Sequence, residues 1–312
     1  MLDTVKKLPE QIEDALKIKA DFVFDGVENV AISAMGGSAI SGDIVKHFSK
    51  LPFFIIRDYY LPPYIGKNTL FIAISYSGNT EETLACFKEA LKRGCKTVAI
   101  TSNGMLADEA ENKILIPTGM QPRAAIAYLL FPLINLLRRN GIISINYEEA
   151  LYLLKSKRNR IDELARKIAY AIEGFPIIYG YGILASIAKR WRQQFNENSK
   201  MMAFDFALPE CNHNEMEAWE GGIDKATCIF LRGVENERVR IRFDFMKKIY
   251  REKAKVIEVH AYGKDDFSKA MYALFLGDLA SVYMAERNGV EAEPVNLIKK
   301  LKEELQHSRS SS

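Results

Sequence analysis

Short, wholly apolar runs such as Thr69-Leu70-Phe71-Ile72-Ala73-Ile74 alternate with longer stretches whose apolar residues recur at helical spacing. Runs of that length read as strands buried on both faces, and the longer stretches as crossover helices, so the pattern is that of a parallel α/β sheet. The strands expected in the first half are residues 29–34, 53–57, 69–75, 96–101 and 113–117. A helix over roughly 3–20 precedes them, and another over 122–140 follows, with Pro122 in its permitted first turn. A polar helix over roughly 148–173 then leads into a second series, with strands at 175–181, 201–206, 226–232 and 255–260. Residues 32–40 and 178–184 each read as strand, glycine turn and helix, which points to an internal duplication of one fold.

Composition narrows the partners. The 312 residues accommodate two domains, and a net charge of +3 with 27% charged residues and no basic tract argues against nucleic acid while leaving small anionic metabolites open. The stretch Met1-Leu2-Asp3-Thr4-Val5-Lys6-Lys7 lacks the apolar core of a signal peptide, and no run approaches the ~18 apolar residues of a membrane span. A soluble cytoplasmic protein with no membrane partner is expected. Cys86, Cys95, Cys211 and Cys228 show no Cys-x-x-Cys spacing, and His47, His213, His260 and His307 show no metal-ligand interval. The expectation is no metal and no disulfide framework, with buried thiols in a reducing compartment. His47 and His260 read as helix-surface and strand-end residues.

Five places carry candidate chemistry. Ser75-Tyr76-Ser77-Gly78-Asn79-Thr80-Glu81-Glu82-Thr83 is a hydroxyl-rich turn between a strand and a helix. It is either a phosphate cradle on a helix N-terminus or a helix start capped by Thr80. Met35-Gly36-Gly37-Ser38 lets backbone approach a ligand and adds a hydroxyl, or it is a tight turn; it lacks the Gly-x-Gly-x-x-Gly spacing, so a nicotinamide cofactor is disfavoured. Arg123, after Gln121-Pro122, is either a fixed charge over an anionic intermediate or a surface arginine. Glu197, in Phe195-Asn196-Glu197-Asn198 near a helix C-terminus where the dipole disfavours negative charge, suits proton transfer or is solvated. His213, in Pro209-Glu210-Cys211-Asn212-His213-Asn214, is the best acid/base candidate among the histidines, or a loop residue. The lysine-bearing amphipathic helix of residues 294–302 is explained mostly by a solvated face.

Taken in order, these motifs with Pro122-Arg123-Ala124-Ala125 resemble the sugar isomerase (SIS) domain proteins, specifically the archaeal-type bifunctional phosphoglucose/phosphomannose isomerases, over nearly the whole chain. The resemblance implies two SIS-type doubly wound α/β domains, residues 1–145 with the leading helix and 146–312 with the C-terminal helix, each a mostly parallel five-stranded sheet flanked by helices. It implies an aldose–ketose isomerase that links glucose 6-phosphate, fructose 6-phosphate and mannose 6-phosphate through a cis-enediolate, without a cofactor. Gly36, Gly37, Ser38, Ser75, Ser77 and Thr80 would then bind substrate phosphate, Glu197 would be the base and Arg123 would stabilise the enediolate. His213 would open the sugar ring, reaching in from the partner subunit of a homodimer, with Lys302 assisting. Val295 stands where the family usually carries a threonine, and a valine offers no hydroxyl; Asn296 stands where the family commonly has proline. The alternatives are a non-catalytic sugar-phosphate sensor, argued against by the lack of a DNA-binding segment, or another sugar-phosphate enzyme on the same fold.

Overall fold

The computed structural model describes residues 1–221 and 225–310, with backbone alone for 306–310. Its strands form two parallel sheets. The first contains β1 (Asn29–Ala34), β2 (Phe53–Ile56), β3 (Thr69–Ser75), β4 (Lys96–Thr101) and β5 (Lys113–Leu115), in the order β2-β1-β3-β4-β5. The second contains β6 (Phe175–Tyr181), β7 (Phe204–Leu208), β8 (Ala226–Arg232) and β9 (Lys255–His260), in the order β7-β6-β8-β9. The shared order through four strands accords with the duplication read from the two glycine turns.

The second sheet has four strands among the described residues, not the expected five. After β9 the apolar sequence is apolar on every side and long, so it folds as the buried helix Asp266–Arg287 instead of a further strand. β7 starts at Phe204, later than residue 201, because Lys200 turns the chain with a φ of +54°. The leading helix divides into Leu2–Lys6 and Leu8–Ala15: Pro9 lacks an N–H and would crowd the carbonyl four residues back, so it opens a second helix. Residues 122–140 become a single 3₁₀ turn, Pro122–Ala124, followed by the helix Ile126–Arg139. Residues 148–173 become the helices Glu148–Ser156 and Arg158–Ala171.

Side chains from both halves share one core. The helices Ile126–Arg139, Ile183–Asn198 and Asp266–Arg287 contribute Leu133, Trp191, Phe195, Phe275 and Leu279, all fully buried. Phe131 of the first half meets Phe267 of the second edge to face, with ring centroids 6.2 Å apart. Each such side chain contributes about 1.5–3 kcal/mol by leaving water, so this packing is what holds the carboxyl edge of the first sheet against the end of the helix Ile183–Asn198.

Candidate active site

From β1 the chain crosses to β2 on one side, whereas β3 continues to β4 on the other. The carboxyl ends of β1 and β3 therefore flank the crevice where connections diverge, which is where open parallel sheets bind ligands. The Met35–Ser38 turn and the turn of residues 75–80 both stand there. The helices that follow, Gly36–Val45 and Glu81–Lys92, start without a side-chain cap. Thr80 occupies the N-cap position, but its hydroxyl pairs with Ser75 Oγ at 2.9 Å and leaves the helix amides to another acceptor. The Thr80 hydroxyl therefore makes no cap hydrogen bond to the helix, and the uncapped amides suit an anion. Gly78 has a φ of +67°, and a Cβ there would fall 1.7 Å from the Asn103 carbonyl oxygen, so only glycine closes this turn. Tyr76 ties it down, its carbonyl accepting from Ser102 Oγ at 2.6 Å and its hydroxyl accepting from the Met120 amide at 2.9 Å.

The glycine turn after β1 brings in the next component. A Cβ on Gly37 would lie 3.2 Å from Arg123 Cα, so its absence lets the Pro122–Ala124 turn close against the crevice. Arg123 is not the surface residue its composition allowed; it is 3% exposed. Its Nε donates to Asn198 Oδ1 at 2.6 Å, and Nη2 donates to the carbonyls of Ala292 at 2.6 Å and Glu293 at 2.9 Å. Nη1 makes only longer contacts, to Gln121 Oε1 and Glu197 Oε2, both at 3.4 Å. Burial lowers the Arg123 pKa, against which the charges of Glu197 and Glu293 act; a guanidinium stays charged regardless. Glu197 lies in the last turn of the helix Ile183–Asn198 with its side chain 26% exposed, so it is neither freely solvated nor sealed.

Behind Arg123 sits a buried network. Arg190 donates to both Asp278 oxygens, at 2.9 and 2.6 Å, and its Nη2 also donates to the Arg123 carbonyl at 2.9 Å. Gln194 Nε2 donates to Asp278 Oδ1 at 2.8 Å, and Asn198 Nδ2 to Ser281 Oγ at 2.8 Å. Sequence reasoning named none of these as functional. Asn198 and Lys200 lie in the same stretch as Glu197, and Asp278 could have been noticed as a lone carboxylate within an apolar helix. Arg190 carries no such signal.

His213 ends the 3₁₀ turn Glu210–His213 after β7, is exposed, and makes no side-chain hydrogen bond or ion pair among the described residues. Its segment is anchored by Glu215, which accepts from Tyr179 and Trp219 at 2.6 Å each and from Tyr250 at 3.0 Å. Lys302 is exposed on the helix Asn296–Ser310. Neither is joined to Glu197 or Arg123 by a hydrogen bond or ion pair among the described residues. His47 lies exposed on the 3₁₀ turn Lys46–Phe48, the helix-surface position expected of it; its ring shares a hydrogen bond with Ser186 Oγ at 3.2 Å, and desolvation by its neighbours lowers its pKa. No helix of the described residues is long and apolar enough to cross a membrane.

Residues 28–135 match the family model of the SIS domain, and residues 161–305 match that of the bacterial phospho-glucose isomerase C-terminal SIS domain. The chain is 37% identical over 298 residues to a bifunctional phosphoglucose/phosphomannose isomerase of Thermoplasma acidophilum, covering 94% of this chain and 95% of that protein. It is 36% identical over 293 residues to the enzyme of the same name from Aquifex aeolicus, covering 89% and 90%. Among solved structures, the C-terminal domain of glucosamine-fructose-6-phosphate aminotransferase from Francisella tularensis superposes with a TM-score of 0.71 over 94% of this chain and 98% of that one, at 18% identity. That likeness concerns the fold alone.

Proposed function

The chain belongs to the bifunctional phosphoglucose/phosphomannose isomerases, built from SIS domains, and we propose that Glu197 is its base and Arg123 the cation facing its reaction intermediate. It is an aldose–ketose isomerase of glucose 6-phosphate, fructose 6-phosphate and mannose 6-phosphate, not a sensor. The carrying observation is the uneven bonding of Arg123. Nε and Nη2 are held at 2.6–2.9 Å by protein acceptors, whereas among the described residues Nη1 has only two hydrogen bonds, both at 3.4 Å, one of them to Glu197. Nη1 is thus the donor left for an oxygen that becomes anionic beside the base, and it needs no reorganisation when charge develops.

In the proposed reaction the substrate phosphate rests on Gly36, Gly37, Ser38, Ser75, Ser77 and Thr80 at the two uncapped helix starts. Glu197 removes the proton from C2 of the aldose, and the C–H electron pair forms the C1–C2 double bond while the carbonyl pair shifts onto O1 to give the enediolate opposite Arg123. The C2 hydroxyl proton passes to O1, the C2–O2 double bond forms, and Glu197 returns its proton to C1. For either epimer at C2 the base must reach the proton after rotation about C2–C3. His213 opens the ring from the partner of a homodimer, with Lys302 assisting. What supports the dimer is the exposure of His213, together with an apolar stripe on the helix that carries Lys302, where Leu297 is 81% and Leu301 60% exposed. The division into domains at residues 145 and 146 is supported by the helices that begin at Glu148 and pack on Asp266–Arg287. A cytoplasmic setting fits four free thiols.

Glu197→Gln is expected to lose turnover of fructose 6-phosphate by at least about 10³-fold while retaining affinity for inorganic phosphate. Mixing inactive Glu197→Gln with inactive His213→Ala tests the dimer: if His213 acts across the interface, each mixed dimer regains one intact site and the mixture recovers about a quarter of the wild-type rate. No recovery after subunit exchange places His213 in its own chain's site or outside the chemistry.

A further inference from the structure

The eight residues between the helices Asp266–Arg287 and Asn296–Ser310 have no helix or strand, yet three successive carbonyls in this strap are taken by cations of the site. Arg123 Nη2 holds those of Ala292 and Glu293, at 2.6 and 2.9 Å, and Lys200 Nζ holds that of Pro294 at 2.7 Å. The same ammonium donates to the Glu197 carbonyl at 2.5 Å. Lys200 reaches both because it turns back on the end of the helix Ile183–Asn198 with a φ of +54°, a conformation taken by only one other non-glycine among the described residues, Lys225. At such a helix end glycine is the usual residue, since an L side chain there costs about 1–2 kcal/mol. The strain is matched here by a lysine that caps the helix carbonyl and ties the strap to the backbone of Glu197.

We propose that Lys200 is a positioning residue: by clamping Pro294 to the backbone of Glu197 it fixes the wall of the substrate space beside the base, and so governs discrimination between the glucose and mannose epimers. This rests on the reading of Glu197 as the base. Val295, the residue next to Pro294, is the first side chain beyond the clamp. Both epimers must present their C2 proton to one carboxylate, and the rotation that separates them sweeps the sugar against whatever stands beside it. A strap held at three consecutive carbonyls leaves one fixed width; released at Pro294, it leaves more room and less order. Burial and the Arg123 charge lower the Lys200 pKa, with Glu197 opposing, which accords with an ammonium inside the field of the site.

The test compares Lys200→Gly, Lys200→Asn and Lys200→Arg by steady-state kinetics on glucose 6-phosphate and mannose 6-phosphate, with thermal melts alongside. Glycine and asparagine both accept the left-handed backbone, so folding is retained in at least one of them. The expected result for these two is a kcat on glucose 6-phosphate about tenfold lower, a KM within about threefold of wild type, and a ratio of mannose to glucose turnover raised about threefold or more. Lys200→Arg, which keeps a cationic donor, restores most of the ratio. An unchanged ratio in folded Lys200→Gly or Lys200→Asn, or an equal loss on both epimers, overturns the proposal. Failure of the underlying reading shows separately, as residual turnover in Glu197→Gln with Lys200 intact.

Discussion

Replacing Asp278 with leucine removes the carboxylate that accepts two hydrogen bonds from Arg190 and one from Gln194. Arg190 is 1% exposed, and among the described residues its guanidinium then keeps only the Arg123 carbonyl as an acceptor. Breaking one side of a buried pair in this way costs about 3–5 kcal/mol. With an unfolding entropy of about 2 cal/mol/K per residue over a chain of 312 residues, that corresponds to a melting temperature lower by about 5–8 °C. Removing both charges, in Arg190→Met with Asp278→Leu, is expected to restore stability to within about 1–2 kcal/mol of wild type, because no desolvated charge remains unpaired. Activity should not follow stability. Arg190 Nη2 holds the Arg123 carbonyl at 2.9 Å, and a small displacement of a reacting group is costly, so the double variant should isomerise fructose 6-phosphate about tenfold more slowly with KM little changed. Melts followed by circular dichroism and a coupled assay on the same preparations separate the two effects. A double variant that melts as low as Asp278→Leu alone would show that the unpaired charge is not what makes Asp278 necessary. A double variant with wild-type kcat would refute the positioning of Arg123 by Arg190.

Two further outcomes follow from the same structure. Gly78→Ala puts a Cβ 1.7 Å from the Asn103 carbonyl oxygen in a left-handed turn, and should raise the Kd for inorganic phosphate about tenfold in titration calorimetry; an unchanged affinity would place the anion elsewhere. Burial acts to raise the Glu235 pKa, but hydrogen bonds from Arg232 and the Gly233 amide prevail and hold it below the usual carboxylate range. A depressed folded pKa contributes stability above the unfolded value of about 4.3, and that stability is lost as pH falls through the folded value. Urea midpoints of wild type and Glu235→Gln should therefore differ at pH 7 and draw together as pH falls below about 4.3, whereas a gap that stays constant on acidification would contradict the assignment.

The alternation of apolar runs and amphipathic stretches was enough to place every strand to within a few residues, because burial on both faces of a parallel strand writes itself into consecutive residues. Hydroxyls and glycines beside β1 and β3 were legible for the same reason: a turn is a local object, and its residue types are dictated by its own backbone. Periodicity could not say that the apolar sequence after β9 would be a helix buried on all sides, leaving the second sheet at four strands. Nor could it decide whether Thr80 caps its helix or turns to Ser75, since both hydrogen bonds suit the same sequence. Arg123 shows the division most plainly. The motif around it identified a candidate, but its burial and its partners, Asn198 and Glu293, lie 75 and 170 residues away along the chain. Which acceptors surround a guanidinium is settled only when helices from both halves pack into one core, and that packing alone leaves Nη1 loosely held beside Glu197 while His213 faces outward.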